Sequence, residues 1–289
     1  MPCGTPPGTG LHLVTPIRAD NKRPGDRVSD TQTRKVAVVI PAKDEQDRIA
    51  GTVRACKAIP GVDLIVVVDD GSSDDTQQVA RHAGAATVRH TVNRGKASAM
   101  ETGANIVAMH DAEGAEPHLL LFIDADLGES AAETTPLVEA VNQGRCDMAI
   151  AVLPPQPGAG GRGFVTGLAR NSIECAVGWR PTQPLSGQRC ITREAFDAAQ
   201  PLSSGWAVET ALTISVLGAG YTALEVPCNI SHRPTGNDLR GQLHRLGQYR
   251  DVKVATVRLR LEGYYLKPEN YAASQRMQRD FQPYQVRSR

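Results

Sequence analysis

Apolar positions along the first half of the chain come in short unbroken runs separated by longer mixed stretches. Lys-Val-Ala-Val-Val-Ile (35–40) is almost wholly β-branched, the pattern of a strand buried on both faces. Leu64 to Val68 repeats it, Ala86 to Arg89 is a shorter version, and Leu119 to Ile123 is a fourth. The stretches between them have helical character. One runs from about Asp44 to Lys57, a second ends at Ala83 with Ser72, Ser73 and Asp74 as candidate caps, and a third spans Lys96 to His110. Four strand–helix alternations with short links predict an α/β protein, a mostly parallel sheet flanked by helices, with its ligand site at the carboxyl ends of the strands.

After a fifth strand, Met148–Leu153, the rhythm changes. Pro154 to Gly163 (PPQPGAGGRG) is a Pro- and Gly-rich loop, expected to act as a flap over the site. Its Gly158, Gly160 and Gly163 fit G-x-G-x-x-G, but prolines separate them from the strand, so a dinucleotide turn is not expected. Helices are expected near 164–177 and 206–217, a strand near 221–226, and a basic helix over 238–260. That helix carries Leu239, Leu243, Leu246 and Tyr249 at helical spacing. It reads either as a helix packed on the body or as one docking on an anionic membrane surface. Residues 1–33 have little to bury and read as a disordered leader, and the polar stretch after Pro268 reads as a loose tail.

Composition narrows the class without naming it. The 289 residues are 40% hydrophobic and 22% charged with a net charge of +1, which argues for a globular protein and offers no electrostatic case for a nucleic-acid partner. The six cysteines form no C-x-x-C pair, so zinc spacing is absent and a reducing cytoplasm is expected. No apolar run reaches membrane-spanning length, and Met1 to Asp30 lacks the apolar core of a secretory signal.

The acids change the picture most. Asp44 and Glu45 follow the first strand, Asp69 and Asp70 end the second, and Asp124 and Asp126 follow the fourth. A parallel sheet brings all three ends to one edge, where so many carboxylates call for a cation or for donor groups. Helix capping and solvated turns account for some of them, Asp74, Asp75 and Asp44 above all. Asp124-Ala-Asp126, directly after a buried strand, suits one hard divalent ion, Mg²⁺ or Mn²⁺. Lys96, at a helix start in Asn-Arg-Gly-Lys, suits a phosphate, or is a surface lysine. His232, in Ser-His-Arg-Pro-Thr-Gly, is either a ligand or structural. Glu209 either complements a helix dipole or serves as a general base or acceptor contact.

Taken in order, VAVVIPAKDE, IVVVDDGSSDDT, NRGKASAM, LLFIDADL, PLSGQRCITR, GWAVETAL and ISHRPTG resemble the GT-A glycosyltransferases, in particular family 2 enzymes of the polyprenyl-phosphate sugar synthase kind. The resemblance implies transfer of a sugar from a UDP- or GDP-sugar donor to an acceptor. By it, Pro41, Ala42, Glu45 and Asp70 line the base and ribose pocket, and Lys96 faces the diphosphate. Asp124 and Asp126 form the D-x-D motif, with Asp126 the direct metal ligand and a catalytic residue, and His232 completes the metal shell. Ser186, Gly187, Gln188 and Glu209 face the acceptor. The second half is also similar to the glucosyl-3-phosphoglycerate synthases, through GGRGFVT, QPLSG and a late His-Arg. That similarity implies an acceptor phosphate bound by Arg162 and Thr166. Gly163 and Phe164 separate Arg162 from Val165, and Asp70 stands where those enzymes have a small residue. These departures leave open the acceptor, polyprenyl phosphate or a phosphorylated metabolite, and with it inversion or retention. The expected layout is a nucleotide-sugar-binding half over 34–153, an acceptor-binding half over 154–262 and a tail over 263–289. The location is read as cytoplasmic, with peripheral membrane contact and a homodimer both open. The rival readings are a nucleotidyltransferase, which would need a Gly-rich basic loop near the first strand that is absent here, and a non-catalytic nucleotide-sugar-binding protein.

Overall fold

The computed structural model describes residues 34–154, 163–203, 205, 208–230 and 254. The expected leader, the flap over 155–162, Arg162, His232, the basic helix over 238–260 and the tail lie outside the described residues, Val254 excepted.

Seven strands form one sheet: β1 (Val36–Ala42), β2 (Val62–Asp69), β3 (Ala86–Arg89), β4 (Leu119–Phe122), β5 (Met148–Val152), β6 (Arg189–Ile191) and β7 (Ala223–Pro227). Their spatial order is β3-β2-β1-β4-β6-β5-β7. β1 pairs in parallel with β2 and β4, β2 with β3, and β5 with β7, whereas β6 runs antiparallel to both β4 and β5. The sheet therefore runs through both halves of the chain.

Unbroken apolar runs form its centre because both faces are covered. Val36, Val38 and Ile40 of β1 join one core cluster, Ala37 and Val39 the other, and all five are fully buried. On the first face lie α1 (Ile49–Cys56), through Ile49, Val53 and Cys56, and α4 (Thr135–Asn142), through Leu137, Val138 and Val141. On the second lie α3 (Lys96–His110), α5 (Gly163–Val177) and α7 (Val208–Gly218). α2 (Thr76–His82) and α6 (Arg193–Ala198) complete the set, the latter capped by Thr192 Oγ1 accepting the Ala195 N–H. α3 sits so close to the sheet that a Cβ at Gly103 would run into Val39 Cγ1.

The predicted strands recur within a few residues, and β3 and α3 match at both ends. The helix expected from Asp44 begins only at Ile49, because the backbone N–H groups of Asp44, Glu45 and Gln46 are bonded to the loop after β2. α4, β6 and α6 had no counterpart in the sequence reading. β6 has the greatest consequence for the site. Its reversed direction pairs Phe122 with Arg189, so the residues just before β6 lie beside the carboxyl end of β4.

Candidate active site

Three adjacent strands, β2, β1 and β4, end at the same edge, and the loops leaving them carry the six acids. The first two loops are tied together. Ser72 Oγ accepts the Asp44 N–H at 2.9 Å, and Asp44 Oδ1 accepts the Ser73 N–H at 2.7 Å. Thr76 Oγ1 accepts the Glu45 N–H at 2.8 Å, and Asp74 Oδ2 accepts that of Gln46 at 3.2 Å. Asp44 takes a φ of 55°, a left-handed conformation that a short polar side chain tolerates. The Ser73 backbone and hydroxyl donors hold its carboxyl below the usual range. Asp69 is fully buried, accepting the Ser72 N–H at 2.8 Å with Arg89 Nε at 3.5 Å.

Asp70 is buried as well, and its oxygens are occupied. Oδ1 takes His90 Nδ1 at 2.7 Å and the Arg94 N–H at 2.8 Å, and Oδ2 takes the Gly95 N–H at 2.7 Å. Burial alone would raise this carboxyl, but the Arg94, His90 and Gly95 donors outweigh it and hold it below the ordinary value. Asp70 thus fixes the loop that starts α3, and with it the stem of Lys96. His90, whose Nε2 meets Thr102 Oγ1 at 3.0 Å, was not singled out from the sequence. Nothing in a lone histidine beside a threonine signals a partner twenty residues earlier.

Lys96 is the centre of the site. Its Nζ donates to Asp124 Oδ1 at 2.8 Å and to Glu209 Oε1 at 2.9 Å, joining the β4 loop to the first turn of α7. Burial would lower this ammonium, but the two carboxylates more than compensate and hold it above the usual lysine range. Gln188 donates from Nε2 to Asp124 Oδ2 at 2.6 Å. Gly187 packs its backbone on the pair; a Cβ there would lie 2.7 Å from Lys96 Nζ and 3.0 Å from each Asp124 carboxylate oxygen. Arg189 is buried behind this turn, donating to the Ser186 carbonyl at 2.9 Å and to Thr213 Oγ1 at 2.8 Å. Burial pulls its guanidinium down to about 10. Its signal in the sequence was a charge at the head of an otherwise apolar strand.

The expected acceptor residues therefore divide. Ser186 and Gln188 are buried, and Gln188 donates its amide to Asp124. Glu209 is ion-paired to Lys96 Nζ at 2.9 Å. Thr166 stands in the first turn of α5, and Ala169 just beyond packs with Leu185. Arg162 and His232 lie outside the described residues.

Glu45 and Asp126 remain the least committed acids. Each side chain keeps 29% exposure, and Arg48 Nη1 lies between them at 3.9 Å from Glu45 Oε2 and 4.0 Å from Asp126 Oδ2. Burial raises the Glu45 carboxyl first, and Asp126 adds to it more than Arg48 relieves. Carboxylates that repel in this way are suited to a cation. Among the described residues no three His, Cys, Asp or Glu side chains stand as a ready metal cage. A single half-open carboxylate nevertheless fits Mg²⁺ or Mn²⁺, which share their oxygen shell with substrate phosphates. Asp126 fits that role, and Asp124, held by Lys96 and Gln188, stands behind it. Pro41 and Ala42 end β1 on the same edge.

Among known proteins, the undecaprenyl-phosphate 4-deoxy-4-formamido-L-arabinose transferase of Edwardsiella ictaluri is 36% identical over 128 residues, covering 40% of this chain and 37% of its own length. The glucosyl-3-phosphoglycerate synthase of Mycolicibacterium paratuberculosis is 29% identical over 216 residues, covering 66% of this chain and 64% of its own. The chain thus spans less than two thirds of either relative. The crystal structure of glucosyl-3-phosphoglycerate synthase from Mycobacterium tuberculosis, in complex with Mn²⁺, uridine-diphosphate-glucose and phosphoglyceric acid, superposes with a TM-score of 0.60 at 25% identity. It covers 83% of this chain and 86% of that one. The glycosyl transferase family 2 model matches residues 37–194, more than half of the chain, and the chain belongs to that family.

Proposed function

We propose that this protein moves a sugar from a nucleotide-diphosphate sugar to a phosphate-bearing acceptor, assisted by a divalent cation at Asp126. The observation that carries the reading is the Lys96 ammonium, held between Asp124 and Glu209 at the carboxyl edge of the sheet. Glycosyl transfer separates an oxocarbenium-like sugar from a diphosphate anion, so fixed positive charge at the leaving group is the main help the reaction needs. Lys96 keeps its charge, and its stem is fixed by the Asp70-bound loop. A bound Mg²⁺ or Mn²⁺ would add Lewis-acid neutralisation of the diphosphate. Pro41, Ala42 and Glu45 border the space for the base and ribose, with Asp70 behind them.

The state of Glu209 favours a phosphate acceptor. A hydroxyl acceptor with inversion needs a general base positioned on it, and the Glu209 carboxylate is instead engaged by Lys96 Nζ at 2.9 Å. A phosphate brings its own nucleophilic oxygen. The named relatives, an undecaprenyl-phosphate transferase and a phosphoglycerate glucosyltransferase, support the same class. Arg162, Thr166 and His232 remain the proposed acceptor and metal contacts of the second half. Among the described residues no helix is long and apolar enough to cross a membrane.

The test is a thermal-shift panel of UDP-, GDP- and TDP-sugars with and without Mn²⁺, followed by transfer assays with 3-phosphoglycerate and with polyprenyl phosphate. One nucleotide should raise the unfolding midpoint in a Mn²⁺-dependent way, since a ligand that binds only the folded state stabilises it. Absence of any shift in folded protein would refute the reading.

A further inference from the structure

We infer that Thr52, in the middle of α1, is a positioning residue for the cation site; the inference rests on reading Asp126 as the cation-binding carboxylate. Thr52 is fully buried on the α1 face that packs on the sheet, among Ile49, Val53 and Cys56. Valine would fill that space without a polar group to satisfy, and β-branched threonine brings no helix-forming advantage. What its hydroxyl does there is specific. Oγ1 donates to the Ala125 carbonyl at 2.7 Å and accepts the Gly128 N–H at 2.8 Å. The longer approach to the Arg48 carbonyl, 3.4 Å, competes poorly for the single hydroxyl proton.

Ala125 is the residue between the two aspartates, and Gly128 closes the turn after them with a φ of 56°. One buried hydroxyl therefore holds the 124–128 turn on both sides of Asp126. The same helix brings a second restraint. Arg48, one turn earlier, lies 4.0 Å from Asp126, and Gly51 packs beside Gly128, where a Cβ would make an ordinary contact with Gly128 Cα at 3.6 Å. Among the described residues the side chain paired with Asp126 is the 4.0 Å Arg48, so its direction is set by the backbone beneath it, and Thr52 is what that backbone rests on. Residues that orient a metal ligand from behind control affinity without touching the ion.

The test compares Thr52→Val, Thr52→Ala and Thr52→Ser with the wild-type protein. Two quantities are read: the Mn²⁺ concentration that half-saturates binding of UDP or GDP, and the unfolding midpoint without metal. Val and Ala should raise the Mn²⁺ requirement about ten- to a hundredfold, and Ser should restore it to within about threefold of wild type. The unfolding midpoint reports stability separately, and Ala serves if Val does not fold. Val and Ala proteins with the wild-type Mn²⁺ requirement would overturn the inference alone, as would a Ser variant as impaired as Val. A wild-type protein that binds neither nucleotide in a Mn²⁺-dependent way would overturn the proposed function and this inference together.

Discussion

At the scale of single residues, the site is decided by which carboxylates are already spoken for. Asp44, Asp69, Asp70 and Asp124 each accept protein donors, and Asp126 keeps one distant arginine. Asp126→Asn is therefore expected to reduce metal-dependent transfer by about a hundredfold or more, with circular dichroism unchanged. Gly187 is the tightest point. Gly187→Ala puts a methyl 2.7 Å from Lys96 Nζ, and the flexible lysine must leave Asp124 to make room. A fall in kcat of about tenfold to a hundredfold is expected, with a shift of only a few degrees in unfolding midpoint. Near-normal kcat would show that the Lys96–Asp124 pair is not needed. Asp124, Asp126 and Lys96 were legible because residue type, spacing and strand end coincide. The true partners of Asp70 and Glu209 were not, since Glu209 meets Lys96 across 113 residues of sequence.

At the scale of elements, two predictions follow the packing. Alanine in place of a helical glycine normally gains about 1 kcal/mol. At Gly103 the new methyl would collide with Val39 Cγ1 and approach Val68 Cγ2 at 3.3 Å. Gly103→Ala should therefore be destabilising, since overpacking costs about 1–3 kcal/mol, measurable by urea unfolding. The second prediction concerns the loop before α3. The folded Asp70 carboxyl lies below its ordinary value of 3.8, so it contributes stability above that pH and loses it as pH falls through the folded value. Asp70→Asn should be less stable at neutral pH and should show a flatter loss of stability on acidification below about pH 4. An unchanged acid limb would remove Asp70 from the account. Strands β1 to β5 were legible as apolar runs, but β6 has three residues, one of them arginine, and only its pairing with β4 and β5 makes it a strand.

At the scale of the molecule, the described residues form a GT-A fold with one reversed strand, and that strand joins the two halves of the sheet. β6 delivers Gly187 and Gln188 to Asp124, and α7 delivers Glu209 to Lys96. Donor binding should accordingly be felt in both halves, and a single cooperative rise of the unfolding midpoint with nucleotide and Mn²⁺ is expected in the thermal-shift panel. The sequence by itself determined the α/β class and the placing of Lys96, Asp124 and Asp126 at strand and helix ends on one sheet edge, because periodicity and residue chemistry are local properties. Tertiary structure alone decided which protein donors each acid accepts, that Glu209 is an ion-pair partner of Lys96, and that Ser186 and Gln188 are buried. Hydrogen-bond partners distant in the chain compete for each carboxylate, and that competition is settled only when the strands are laid side by side.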